Sequence, residues 1–113
     1  MQASLDFQDA LVPSDEPILA ADVTVDRGSR YGFAISKVVG KESLATFLKL
    51  VRSSKPFSSA SHCSYAFRMR SPEGILVEGK GDDGETGAGL CILRELRRMN
   101  VEQCVLVVSR HFG

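Results

Sequence analysis

The strongest constraint on the fold is a continuous apolar run near the end of the chain. Residues 105–108 read Val-Leu-Val-Val, without the polar residues that alternate in a half-exposed strand. A strand carries such a run where both of its faces are covered. The run therefore predicts a strand near the centre of a sheet, with other elements packed on it.

Two predicted hairpins supply the rest of this sheet. Apolar residues alternate with polar or small ones in residues 21–26 and 31–36, which predicts two half-buried strands joined by a loop of about three to five residues. The alternation in residues 62–70 is the clearest in the chain, and its polar or small set is expected to face water or a ligand. A turn at residues 71–74 leads into a fourth strand that begins at Ile75.

Two amphipathic segments predict helices that pack on the sheet. Apolar residues recur at helical spacing in residues 41–53 and again in residues 87–99. Asn100 is a suitable left-handed terminator for the second helix. The element order β-β-α-β-β-α-β then gives an α+β fold with one sheet.

A glycine-rich acidic loop, residues 81–89, precedes the second helix and contains three acids and four glycines. Thr86 is the predicted N-cap of that helix. Three interpretations stay open for Asp82, Asp83 and Glu85. In the first, which we favour, they complement the helix dipole in a structural loop. In the second they contact a protein partner or RNA. In the third they hold a divalent cation at a metal or catalytic site.

The two histidines, His62 and His111, are predicted to lie near this loop. Together with Arg68 and Arg110 they form a candidate mixed-charge cleft around the acids. A histidine beside carboxylates can perform general acid–base chemistry, and it can equally lock a loop by hydrogen bonding. We favour the lock.

Charge and cysteine content narrow the class of protein. Residues 1–26 hold six acidic and no basic residues in a chain of net charge zero, so the remainder carries a net charge of +6. A basic body can meet a polyanion, although a solvated surface is the simpler interpretation. Cys63, Cys91 and Cys104 lack metal-site spacing and are expected to be small buried hydrophobes. No signal peptide or membrane span is visible, so we expect a cytoplasmic protein.

Three blocks, in order, resemble the IMPACT/YigZ family. They are residues 60–68 (ASHCSYAFR), residues 82–89 (DDGETGAG) and residues 105–113 (VLVVSRHFG). The resemblance extends over roughly residues 22–113. We therefore divide the chain into an acidic N-terminal arm, residues 1–20, and an IMPACT-like domain, residues 21–113.

The resemblance implies a two-layer α/β sandwich like the second domain of ribosomal protein S-five. Eukaryotic family members counter the starvation-sensing kinase of translation control, an activity attributed mainly to an additional RWD domain that this chain is too short to contain. The family's last strand normally runs on into a further helix, so the domain is either truncated at Gly113 or naturally short. We expect self-association, as a homo-oligomer, to cover the sheet.

The leading functional hypothesis is a non-enzymatic regulator of translation in the amino-acid-starvation response, without a cofactor, which binds a translation-associated protein or the ribosome. One alternative is an RNA-binding module, marked by Arg30, Arg68, Arg70 and Arg110 on one face. The other is a metal-assisted hydrolase that uses the acidic loop. The candidate partner- or ligand-binding residues are His62, Arg68, Asp82, Asp83, Glu85, Thr86, Arg110 and His111.

Overall fold

The computed structural model describes residues 16–112 of the 113-residue chain. The described part contains five strands, two α-helices and one short 3₁₀ turn. In chain order these are β1 (Ile18–Asp26), β2 (Ser29–Lys37), α1 (Lys41–Ser53), the 3₁₀ turn (Phe57–Ser59), β3 (His62–Arg70), β4 (Leu76–Gly81), α2 (Ala88–Arg98) and β5 (Cys104–His111). The predicted α+β class and element order are confirmed.

All five strands form one sheet in the order β1-β2-β5-β3-β4. Every neighbouring pair is antiparallel. The continuous apolar strand, β5, lies in the middle, with Val107 opposite Ala34 of β2 on one side and opposite Tyr65 of β3 on the other. The predicted central position of residues 105–108 is therefore confirmed.

The two helices cover opposite faces of the sheet. On one face, here called the α1 face, Val105 and Val107 join a buried cluster with Phe47 and Val51 of α1. On the other, the α2 face, Cys104 and Leu106 cluster with the buried stripe of α2, which consists of Ile92, Leu93 and Leu96. The layers are thus helix, sheet and helix where the resemblance implied two layers, because β5 is apolar on both faces and each face needs a cover.

Strand β1 differs most from its prediction. Its side chains are mostly exposed rather than half-buried, with Val23 at 50% and Val25 at 62% exposure. The strand lies at the sheet edge, and its register with β2 shifts between Ala20 and Thr24, where Asp22 has a φ of +53°. Such a bulge twists an edge away from regular pairing.

Strand β1 begins at Ile18, whereas the pattern predicted the first strand from residue 21, after an acidic arm of residues 1–20. Residues 1–15 of that arm lie outside the described residues. The turn between β1 and β2 holds only Arg27 and Gly28, both with positive φ, so the expected loop of three to five residues is wrong. A two-residue turn of this hand matches the twist of the two strands.

Three smaller predictions are also corrected. The polar or small set of β3 is buried rather than solvent-facing at Ser64, Ala66 and Arg68, because α2 packs over β3 and β4. Ile75 precedes β4 and is 63% exposed. Cys91 is exposed on α2, whereas Cys63 and Cys104 are buried as predicted.

The helix boundaries place the acidic loop at one end of the sheet. The predicted span of α1 is confirmed, α2 lies within its predicted span, and Asn100 has the expected left-handed conformation, with a φ of +55°. The loop between Gly81 and Ala88 joins edge strand β4 to α2. It meets the start of β3 and the end of β5, since His62 lies opposite Arg110 in the sheet.

Candidate functional site

Asp82 caps helix α2 from within the acidic loop. Its Oδ1 accepts a hydrogen bond from the Gly89 amide at 2.8 Å, and its Oδ2 accepts one from the Gly87 amide at 3.1 Å. These amides belong to the first turn, where a helix has no carbonyl partners of its own. The predicted cap, Thr86, is wrong: Gly87 is the N-cap residue, has a φ of +87° and offers no side-chain bond.

The same hydrogen bonds set the charge state of Asp82. Bonds from the Gly87 amide and then the Gly89 amide lower the pKa of its carboxyl group below the ordinary value of 3.8, because they stabilise the ionised form. The backbone carbonyl of Asp82 accepts a further bond from Ser64 Oγ at 2.8 Å. The start of the loop is therefore tied to both α2 and β3.

Asp83 ties the loop to the start of β3. Its Oδ2 accepts a hydrogen bond from the Cys63 amide at 2.7 Å, and Arg52 Nη2 of α1 lies 3.7 Å from the same oxygen. The Asp83 carbonyl oxygen lies 2.8 Å from His62 Nδ1. His62 thus holds the loop through a backbone carbonyl rather than through a carboxylate.

Gly84 in the loop and Gly89 in the first turn of α2 have different reasons to be glycine. Gly84 has a φ of +84°, which side-chain-bearing residues rarely adopt. At Gly89 an added Cβ would lie 2.8 Å from Asp82 Oδ1 and 3.2 Å from the Gly81 amide nitrogen. The helix approaches β4 closely at this point, and the capping bond depends on that approach.

Glu85 reaches away from the loop to the end of β5. Its Oε2 lies 2.6 Å from Arg110 Nη1, and Arg110 Nε donates a hydrogen bond to Ser29 Oγ at 3.3 Å. The Glu85 hydrogen bond is the largest cause of an Arg110 pKa above its ordinary value. The Arg110 guanidinium carbon also lies 5.7 Å from the Tyr31 ring centroid and 4.8 Å from that of Phe112.

Phe112 completes a partly exposed rim on the α2 face. It is 58% exposed, and its ring meets the His62 ring edge-on at a centroid distance of 5.4 Å. We call Tyr31, His62, Arg110 and Phe112 the aromatic–arginine rim. Aromatic and arginine side chains of this kind are enriched in protein interfaces.

An open groove of about 430 Å³ runs beside the rim, between α2 and strands β2 and β5. Ala88, Cys91 and Ile92 of the helix and Val108 of β5 form an apolar floor. Tyr31 and Arg110 form one wall, and residues 85–87 close the end. The ion pair of Glu85 with Arg110 therefore spans the groove from the loop to the sheet.

Two predicted site residues lie elsewhere. Arg68 is buried near the far end of β3, where its Nε bonds to Glu78 Oε2 at 2.8 Å and its Nη1 bonds to the Val101 carbonyl at 3.1 Å. His111 Nε2 lies 3.1 Å from the Pro56 carbonyl oxygen. The predicted four-residue cleft is not formed, because only His62 and Arg110 reach the acidic loop.

The three candidate metal ligands diverge. Asp82 bonds to helix amides, Asp83 to the Cys63 amide and Glu85 to Arg110. Within residues 16–112, no group of three or more His, Cys, Asp or Glu side chains converges as a metal site would require. The three acids that cluster along the sequence thus have three separate sets of partners.

The arginines that would mark an RNA-binding face are divided and paired. Arg68 and Arg110 lie on the α2 face of the sheet. Arg30 lies opposite His111, the neighbour of Arg110 on β5, and therefore faces the other side. Each has an acidic partner, and the outermost pairs are Arg30 with Asp22 at 3.7 Å and Arg70 with Glu102 at 2.9 Å. Paired and divided arginines give a weaker electrostatic footprint than a continuous basic face.

Comparison with known proteins identifies the family. The family model described as the Impact N-terminal domain matches residues 27–113. The chain belongs to the Impact N-terminal domain family. It is 30% identical over 109 residues to the Protein IMPACT homolog of Saccharomyces cerevisiae, covering 94% of this chain and 42% of that protein. Protein IMPACT of Oryctolagus cuniculus is 34% identical over 89 residues, covering 78% of this chain and 28% of that protein.

Two solved structures share the fold of this Impact-family chain. The two-domain translational regulator Yih1 has a TM-score of 0.65 at 27% identity, covering 94% of this chain and 42% of its own. A hypothetical protein has a TM-score of 0.72 at 24% identity, covering 90% of this chain and 48% of its own. The chain spans less than half the length of each of these relatives.

In its described part, neither helix is long and apolar enough to cross a membrane.

Residue-by-residue reasoning on this Impact-family sequence missed part of the site. Tyr31 and Phe112 form the rim with Arg110, and Arg52 contacts both Asp83 and Cys63, with its Nη1 at 3.2 Å from the Cys63 sulfur. Tyr31 lies beside Arg110 because β2 pairs with β5. That pairing joins segments about 80 residues apart, and strand periodicity does not encode it.

Proposed function

We propose that this Impact-family domain takes part in the control of translation during amino-acid starvation by binding a ribosome-associated protein in the cytoplasm. Its relative Yih1 is described as a translational regulator. In this proposal the domain is a binding module, and the aromatic–arginine rim with its groove is the contact surface.

The observation that carries the proposal is the partly exposed rim, with Phe112 at its tip, beside an apolar groove. Interface residues that contribute most to affinity are commonly Tyr, Trp and Arg, set next to pockets that exclude water. Phe112 projects from the end of β5 at 58% exposure, and Arg110 lies against its ring. The acidic residues beside the rim disfavour a bare polyanion, which supports a protein partner over RNA.

Sedimentation with ribosomes tests the proposal. Purified chain is layered with ribosomes from starved eukaryotic cells on a sucrose cushion at near-physiological salt, and the bound fraction is measured by immunoblotting. We expect the wild-type chain to sediment with ribosomes and Phe112→Ala to reduce its apparent affinity about tenfold. Ile75→Ala is the matched control, because Ile75 is equally exposed but lies in the β3–β4 turn, and it should bind as the wild type does.

The proposal is wrong if the wild-type chain stays in the supernatant, or if Phe112→Ala and Ile75→Ala bind equally. Binding to protein-free ribosomal RNA with the same affinity, and a steep loss of that affinity with salt, would replace the protein partner by RNA. Circular dichroism of each variant confirms that it is folded before sedimentation.

A further inference from the structure

Glu85 is held differently from the other two acids of its loop. Asp82 and Asp83 accept hydrogen bonds from backbone amides, which fixes the path of the chain. The Glu85 carboxylate instead pairs with a side chain across the mouth of the groove. An ion pair of this kind can open without disturbing the capping of α2.

Arg110 is arranged to bind a carboxylate. Tyr31 and Phe112 flank its guanidinium, Ser29 accepts from Nε, and Nη1 points at the carboxylate of Glu85. Arginine binds carboxylates through charge-assisted hydrogen bonds, and stacking on rings limits its motion. The side chains of Arg110 and Glu85 are 31% and 29% exposed, so an incoming group can reach the pair.

On this basis, and resting on the proposed function, we infer that Glu85 is an internal stand-in for an acidic side chain of the protein partner and thereby inhibits its binding. The partner segment is extended and carries an apolar side chain two residues from its carboxylate. The carboxylate displaces Glu85 from Arg110, and the apolar side chain enters the groove.

The spacing follows from strand geometry. Arg110 and Val108 are two residues apart on β5 and both line the groove. Side chains at positions i and i+2 of an extended segment lie on one face, about 6.5–7 Å apart. In a partner segment with the same period, the carboxylate would meet the Arg110 guanidinium. The partner's apolar side chain, two residues away, would meet the groove floor at Val108.

Neighbouring charges set the strength of this contact. Asp26 acts on Arg110 through space in addition to Glu85, so an incoming carboxylate meets one further negative charge. Asp82 and Asp83 are already bonded within the loop. We therefore expect weak binding while Glu85 is in place and a clear gain when its charge is removed.

Fluorescence anisotropy with a defined probe tests the inference. The probe is a fluorescein-labelled octapeptide in which serine spacers separate alternating glutamate and leucine, and its control carries glutamine in place of glutamate. We expect Glu85→Gln to bind the glutamate probe about fivefold more tightly than the wild type. Arg110→Gln should lose that binding, and the glutamine probe should bind no variant tightly.

Glu95→Gln is the matched control for net charge. Glu95 is exposed on α2, the helix that follows the loop of Glu85, and it pairs with Arg98 outside the groove lining. We expect its affinity for the glutamate probe to equal that of the wild type. Equal gains in Glu95→Gln and Glu85→Gln, or no gain in Glu85→Gln, would overturn the inference.

The ribosome experiment separates this inference from the proposed function. Glu85→Gln should raise the ribosome-bound fraction above that of the wild type. If ribosome binding depends on Phe112 but is unchanged in Glu85→Gln, the proposed function stands and the stand-in role of Glu85 is wrong. If the peptide results hold while no variant sediments with ribosomes, the groove chemistry stands and the proposed function fails.

Discussion

Asp82 and Glu85 lie three residues apart in one loop but belong to different regions of the molecule. Asp82 faces the helix start and bonds to two of its amides, whereas Glu85 faces the groove and bonds to one side chain. The first contact holds the fold, and the second lies where a partner can compete for it. Acids that cluster along a sequence therefore need not share a ligand or a role.

Gly89→Ala should cause the largest loss of stability, because it disturbs the contact between the start of α2 and β4. The new Cβ would lie within 3.2 Å of the Gly81 amide nitrogen and closer to the Asp82 carboxylate, so α2 must move away from β4. Overpacking of this kind lowers the free energy of unfolding by about 1–3 kcal/mol. Urea unfolding followed by circular dichroism measures the loss.

Gly40→Ala is the control for that substitution. Gly40 precedes α1 in an extended conformation, and an added Cβ would meet no atom within 4 Å. Its loss should be about 0.5 kcal/mol, the difference between glycine and alanine at a helix N-cap. Similar losses at the two glycines would show that close packing does not explain Gly89.

Asp82→Ala should have the next largest effect. It leaves the amides of Gly87 and Gly89 without their carboxylate acceptor at the helix start. We expect the melting temperature at pH 7 to fall by about 4–8 °C, as for the loss of a helix cap in a domain of this size. Asp83→Ala, which loses one amide bond and a longer, half-exposed contact with Arg52, should cost less.

The pH dependence of that difference identifies its cause. The pKa of Asp82 lies below its ordinary value of 3.8 in the folded chain, so ionised Asp82 stabilises the fold above the unfolded pKa. This contribution is lost as the pH falls through the lower, folded pKa. The melting temperatures of wild type and Asp82→Ala should therefore converge below about pH 3.8, and a constant gap down to pH 2 would contradict the capping role.

Local periodicity predicted most of the fold because each element carries its own signal. The run at residues 105–108 predicted the central strand, and the apolar stripe of residues 41–53 predicted α1. Burial in β1 was predicted wrongly because alternation shows which side chains share a face. It does not show whether a helix covers that face.

The candidate site was less predictable because it depends on contacts between distant segments. Glycine and acid content predicted the loop before α2, but the division of labour among Asp82, Asp83 and Glu85 depends on where β3 and β5 meet the loop. Arg68 and Arg110 looked equivalent in sequence. Strand register places Arg68 opposite Glu78, whereas Arg110 lies at the end of the sheet where the acidic loop brings Glu85 to it.

Glu85→Ala should have the smallest effect on stability, in contrast to Asp82→Ala. Partly exposed ion pairs contribute little to folding, and the loop keeps its bonds through Asp82 and Asp83. We expect the melting temperature to stay within about 2 °C of the wild type, measured by scanning calorimetry. The double variant Glu85→Ala with Arg110→Ala completes a double-mutant cycle, and the coupling it measures should be small for a partly exposed pair. A fall in melting temperature as large as that of Asp82→Ala would show that Glu85 stabilises the fold. Its contact with Arg110 would then be structural rather than one that a partner displaces.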